Sequence, residues 1–264
     1  MRHSAQVTTV ITDPETNAIS GVKILYGLTQ TETIIQCKNI IICAGPWTSK
    51  VFRSLFPLST ASVDISSLAG YSLVLRSPRH TVSHERDLYH GHSHAIFTTH
   101  PSTAGFSTEI FSREGGEIFI AGLNSSQIPL PDQPEGAGAI MDKKSIEELT
   151  AVAIRLLGKL RDGEVESTDE IPNLDDLELV REGLCFRPVP SISGRPVIVT
   201  QVMDELLGPS YQSNGSGIGR DKGGVFIAAG HGPWGISLSL GTGKVVADLV
   251  DGVEPGADIE GLAL

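Results

Sequence analysis

The chain has 264 residues, 40% hydrophobic and 19% charged, and its formal charge of −11 excludes the broad basic surface that nucleic-acid binding requires. It contains no apolar run long enough to span a bilayer, and Met1-Arg-His-Ser-Ala-Gln6 carries no apolar leader segment, which excludes a membrane span and a signal peptide and predicts a cytoplasmic protein. Cys37, Cys43 and Cys185 form an odd set without C-x-x-C spacing, read as small core residues in a reducing compartment.

Residues 5–43 are predicted to be rich in β-structure. Strands over 6–11 and 21–26 flank a turn at Asp13-Pro14, and strands over 33–36 and 40–43 follow. A short amphipathic helix over 47–56 ends at Pro57. Strand-like runs at 71–75, 95–99 and 117–121, separated by Pro and Gly turns, predict an antiparallel sheet. That stretch also holds His80, His84, His90, His92, His94 and His100. On a strand, the alternation of His90, His92 and His94 would put three imidazoles on one face, as a metal needs. No carboxylate or thiolate stands nearby at metal spacing, and Gly91 and Ser93 indicate a loop, so no metal site is assigned and a cavity rim is the alternative.

Residues 129–138 read as a Pro- and Gly-rich loop. Ser145-Ile-Glu-Glu148 has the form of a capping box opening a helix whose apolar side is Ile146, Leu149, Val152, Leu156 and Leu160. A strand over 184–189 follows. Gly215-Ser-Gly-Ile-Gly219 follows a polar segment and has the wrong spacing for a dinucleotide turn, so it reads as a loop.

The last part of the chain is the most informative. Residues 225–229 form an apolar run, predicted as a strand covered on both faces. Gly230, Gly232 and Gly235 crowd the next turn, and from about Ser237 a helix presents Leu238, Val245, Val246, Leu249 and Val250, with Gly252 placed to end it. Such a strand, turn and helix aims free amides and the positive end of a helix dipole at one point, which favours an anion. Gly241 and Gly243 inside the helix each cost about 1 kcal/mol relative to alanine, which close packing on a strand or a cofactor along the first turn would offset.

Residues 229–249 resemble the C-terminal signature of the FAD-dependent oxidoreductases of the D-amino-acid oxidase, sarcosine oxidase and glycine oxidase type. Residues 183–198, with Phe186-Arg187-Pro188, resemble the arginine-proline strand before that signature, and Ile40-Ile-Ile-Cys-Ala-Gly-Pro-Trp47 resembles the family's apolar strand ending in Ala-Gly. The family's opening strand and G-x-G-x-x-G turn are not found, so the resemblance implies a truncated gene model, a fragment or a degenerate paralogue. The implied fold is α/β (α+β): an incomplete Rossmann-like FAD-binding domain over 1–58 and 183–264, with an antiparallel substrate-binding domain over 59–182 inserted.

The implied cofactor is FAD, with Ala44 and Gly45 near its pyrophosphate and Gly230, His231, Gly232, Gly235, Ile236 and Ser237 at the flavin. Arg187 stands where some members hold a substrate carboxylate, with a structural pairing to Glu182 as the alternative, and Arg195 is a weaker candidate in a turn. The implied activity is oxidation of a small amine or amino acid by hydride transfer to flavin. The other reading is a non-catalytic truncated relative that binds or scaffolds, with a partner or a second copy covering the sheet edge left open.

Overall fold

A computed structural model describes residues 5–99, 105–165, 173–191, 194, 197–213 and 223–264. In chain order the strands and helices are β1 (Ala5–Thr12), β2 (Ile19–Tyr26), β3 (Thr31–Gln36), β4 (Asn39–Ile42), α1 (Thr48–Leu55), β5 (Ile65–Arg76), β6 (Ala95–Phe97), β7 (Glu109–Arg113) and β8 (Glu117–Ser125). They continue with α2 (Lys143–Leu157), β9 (Glu178–Pro190), β10 (Ile198–Val202), α3 (Asp204–Leu207), β11 (Gly224–Ala229) and α4 (Gly235–Asp251). The chain divides into two compact units, residues 1–67 with 187–264, and residues 68–186.

In the first unit, β1, β2 and β3 form an antiparallel meander. Its first turn is closed by the Asp13 carboxylate, which accepts from the backbone N–H of Glu15 and Thr16 at 3.0 and 2.9 Å and leaves Asn17 to take a positive φ of 58°. The second sheet has the order β10-β11-β4, with β11 antiparallel to β10 and parallel to β4. Every residue of β11 is buried, as the unbroken apolar run predicts. Val225, Ile227 and Ala229 join a core with Ile19, Ile40, Ile42, Phe52 and Phe56, while Ala228 packs with Val199 and Val246 of α4.

In the second unit the sheet order is β6-β7-β8-β5-β9, and the first four strands are antiparallel. The packing of α2 buries Ile146, Leu149 and Ala153 against Tyr71, Leu73, Leu75, Ile118 and Ile120. The expected capping box is corrected here. Asp142 is the N-cap and accepts from the Ser145 N–H at 2.9 Å and its hydroxyl at 2.7 Å, because a carboxylate three residues upstream competes for the same orphan donors. The helix ends at Leu157, where the Asn173 side-chain amide donates to the carbonyls of Ile154, Arg155 and Gly158 at 3.2, 2.9 and 3.1 Å. Leu160 therefore lies beyond the helix, and Leu156 is largely exposed.

Two further expectations change. Part of the loop at 129–138 belongs to a 3₁₀ helix over Pro134–Ile140. Cys43 and Cys185 are exposed free thiols, not core residues, because the buried side chains of β4 alternate at Ile40 and Ile42 and leave Cys43 beyond them. No described helix is long and apolar enough to cross a membrane.

Candidate functional site: twin turns at the ends of parallel strands

The parallel pair β4 and β11 ends in two turns of the same sequence. After β4 the chain runs through Cys43 and Ala44 into a 3₁₀ turn, Gly45-Pro46-Trp47, and then α1. After β11 it runs through Gly230 and His231 into a 3₁₀ turn, Gly232-Pro233-Trp234, and then α4. Gly45 and Gly232 have φ of 55° and 54°, a left-handed conformation strained for any residue with a Cβ. Proline at the second position of each turn supplies the φ a helix start needs and gives up an N–H that would otherwise be an orphan.

Neither α1 nor α4 has a side-chain cap at its N-terminus. The 3₁₀ turns take up part of the orphan amides, the Trp47 and Trp234 N–H donating to the Ala44 and His231 carbonyls at 3.0 Å each, so each terminus offers a positive dipole end and the amides the turns leave over. Parallel strands place both termini at the same end of the sheet, the carboxyl end, where open α/β sheets bind ligands. The recurrence of Gly-Pro-Trp in the sequence is the signal that reveals this pair.

Around the second turn the packing is tight on one side and open on the other. Gly230 has φ of 89°, and a Cβ there would meet the Ile65 Cδ1 at 2.9 Å, so the turn must be glycine to pass the core. Gly235 is helical, with φ of −54°, and starts α4 two residues earlier than expected. The Nε2 of His231 pairs with the Thr242 hydroxyl at 2.9 Å, tying the ring to α4, and burial pushes its pKa down. Gly252 ends α4 at φ of 68°, its N–H donating to the carbonyl of Leu249 at 3.2 Å, as expected for a C-terminal glycine.

Close packing does not account for the two helix glycines. Apart from their chain neighbours and the backbone of their own helix, no described atom lies within 4 Å of a Cβ built on Gly241 or Gly243. The turn leaves Trp234 65% exposed, and α4 leaves Ile236 94% and Leu240 89% exposed, one helical turn apart.

Arg187 is half-buried on β9 in the same unit and is held by an interaction within the chain. Arg195 and Gly215–Gly219 lie outside the described residues, as does His100. The His90-Gly-His-Ser-His94 alternation does not form a strand, since His90 and Gly91 take φ of 52° and 76° and break the extended run. Among the described residues no cluster of His, Cys, Asp or Glu is arranged to hold a metal.

Known proteins share this architecture. The glycine oxidase of Geobacillus kaustophilus superposes with a TM-score of 0.58 at 18% identity, covering 98% of this chain and 51% of that one. NikD, an amino acid oxidase of nikkomycin biosynthesis, gives 0.58 at 18% identity, covering 98% and 54%. At such identities the likeness is one of fold, and the mixed α/β architecture with its antiparallel sheet is the one these proteins share. In sequence the chain is 25% identical over 231 residues to TDA3 of Saccharomyces cerevisiae, covering 85% of this chain and 34% of that protein. The chain thus spans about a third of that relative's length. Residues 2–249 match the model of the family described as FAD dependent oxidoreductase, and with the paired turns at the carboxyl ends of its strands the chain belongs to that family.

Proposed function

We propose that this chain forms part of an FAD-dependent oxidoreductase acting on a small amine or amino acid. The observation that carries the reading is the pair of uncapped helix termini behind Gly45 and Gly232, at the ends of adjacent parallel strands. Its donor set fits the cofactor. Backbone amides and dipole ends suit a diphosphate and the negative charge of a reduced ring, and the missing side chains at Gly45, Gly241 and Gly243 leave room beside them.

In this reading Ala44 and Gly45 lie at the pyrophosphate, and Gly230, His231, Gly232, Gly235, Ile236 and Ser237 hold the flavin end. His231 contributes its backbone, because its ring is committed to Thr242. When bound, FAD supplies the acceptor for the hydride that leaves the substrate carbon. The Arg187 guanidinium binds and orients the substrate carboxylate as a two-pronged donor, and no general base is needed for a neutral amine. The proposed division assigns 1–58 and 183–264 to the cofactor and 59–182 to the substrate, which the compact unit over 68–186 supports. The three free thiols support a reducing, cytoplasmic setting.

Further polypeptide, from a partner or a second copy, completes the site. Two observations support this: Ile236 and Leu240 stand in the open, and β4 has no described neighbour beyond β11. The test is the absorbance of the purified chain from 350 to 500 nm, before and after addition of FAD and removal of the excess. Stoichiometric yellow flavin is expected. A colourless chain that retains none overturns flavin binding by this chain alone, makes the completing polypeptide indispensable, and leaves this chain a fragment or a binding protein.

A further inference from the structure

The twin turns differ at two places, one on each side of the shared tripeptide. Ala44-Gly-Pro-Trp-Thr48 lies beyond β4, and His231-Gly-Pro-Trp-Gly235 lies beyond β11. In both, the tryptophan N–H donates to the carbonyl three residues back. The first turn has a second tie. Thr48 is buried, and its hydroxyl donates to the Gly45 carbonyl at 2.7 Å, so a side chain holds the left-handed glycine in place. The second turn has Gly235 where the first has Thr48, and so it has no hydroxyl at that position.

The second turn is also the looser of the two by composition. Gly230 and Gly232, on either side of His231, have φ of 89° and 54°, whereas Gly45 alone takes a positive φ in the first turn. Glycine loses more conformational freedom than any other residue on being fixed, so a segment with two of them stays put only where something outside it holds it. Neither its 3₁₀ turn nor α4 has a side-chain cap. What reaches the turn is Thr242, about two turns into α4, whose hydroxyl pairs with the His231 Nε2 at 2.9 Å in a partly buried hydrogen bond. The two exchanges compensate each other. The turn that lacks the threonine hydroxyl has an imidazole in place of Ala44, and that imidazole finds a threonine further along the helix.

We infer that Thr242 is a positioning residue for the flavin end of the site. Acting through the His231 ring, it holds the backbone of residues 230–235, and with it the amides that the turn presents, in place of the tie that Thr48 gives the first turn. An amide donor serves a bound group only while its direction is fixed, so loosening the turn costs affinity without removing a single contact atom. The tie itself is independent of the flavin reading, and its effect on the cofactor rests on that reading.

Amide hydrogen exchange of the flavin-free chain, read by NMR, tests the tie at the Trp234 N–H, with the Trp47 N–H of the twin turn as internal reference. Thr242→Val removes the hydroxyl and keeps the shape, at little change in helix propensity. It should speed exchange at Trp234 about tenfold and leave Trp47 unchanged, while Thr242→Ser should exchange as the native chain does. Titration of the same three proteins with FAD should show binding about tenfold weaker in Thr242→Val alone. Unchanged exchange at Trp234 in Thr242→Val, equal acceleration at Trp47, or Thr242→Ser behaving as Thr242→Val would each overturn the inference, and so would equal FAD affinity in Thr242→Val and the native chain. A native chain that binds no FAD fails the flavin reading, and the exchange comparison then decides the tie by itself. Should Thr242→Val not fold, Thr242→Ala removes the same hydroxyl and takes its place in both measurements.

Discussion

His231 shows how one side chain couples the site to stability. Burial pushes its pKa below the ordinary value near 6.5, so the unfolded chain takes up the proton first as pH falls. Its contribution is whole above about pH 6.5 and is lost as pH drops through that value toward the folded pKa. Urea midpoints should therefore fall between pH 7.5 and 5.5, and less steeply in His231→Gln. Arg187 makes a different kind of prediction. A lysine keeps the charge but not the paired donors, so Arg187→Lys should raise KM for an amino acid about tenfold or more while leaving a simple amine unchanged, read by steady-state kinetics of the flavin-loaded protein. At this scale the sequence was partly readable. Gly230 and Gly252 were legible as conformational necessities because only glycine relieves a positive φ. The hydrogen bond between His231 and Thr242 was not, since it depends on the pitch of a helix that begins two residues earlier than the pattern suggests.

The helix α4 carries the strongest test among the elements, because its glycines separate stability from ligand space. Gly241→Ala should stabilise the chain by about 1 kcal/mol in chemical denaturation, since the residue is helical and nothing described lies near the new methyl. The same substitution should weaken flavin retention. Gly232→Ala should do the reverse to stability, costing about 1–2 kcal/mol at a left-handed position. Strand β11 could be read directly, because a strand buried on both faces leaves an unbroken apolar run. The start of α2 is not legible in the sequence, as Ser145 and Asp142 both suit a cap and only the folded geometry decides between them. The short strand β7 carries Ser112 and Arg113 within five residues, too brief and too polar an alternation to stand out. The paired turns were visible as a repeated tripeptide, but their meaning needed the parallel pairing of β4 with β11, which no local pattern encodes.

Across the molecule, the proposed association rests on the exposed Ile236 and Leu240 of α4. Ile236 and Leu240 make little contact within the chain, so Ile236→Ser with Leu240→Ser should reduce self-association in sedimentation velocity without lowering the melting temperature. An unchanged sedimentation distribution would show that this face is not where copies meet. The pairing of β4 with β11 also has a kinetic side. It joins residues 39–42 to residues 224–227, with the whole second unit threaded between them. Contacts so far apart in sequence demand a large loop closure, whereas the β1-β2-β3 meander and the hairpins of the second unit close locally. The two Gly-Pro-Trp turns therefore come together late in folding. A nascent chain released from the ribosome before residue 224 would hold a meander and a five-stranded sheet, yet only one of the two Gly-Pro-Trp turns.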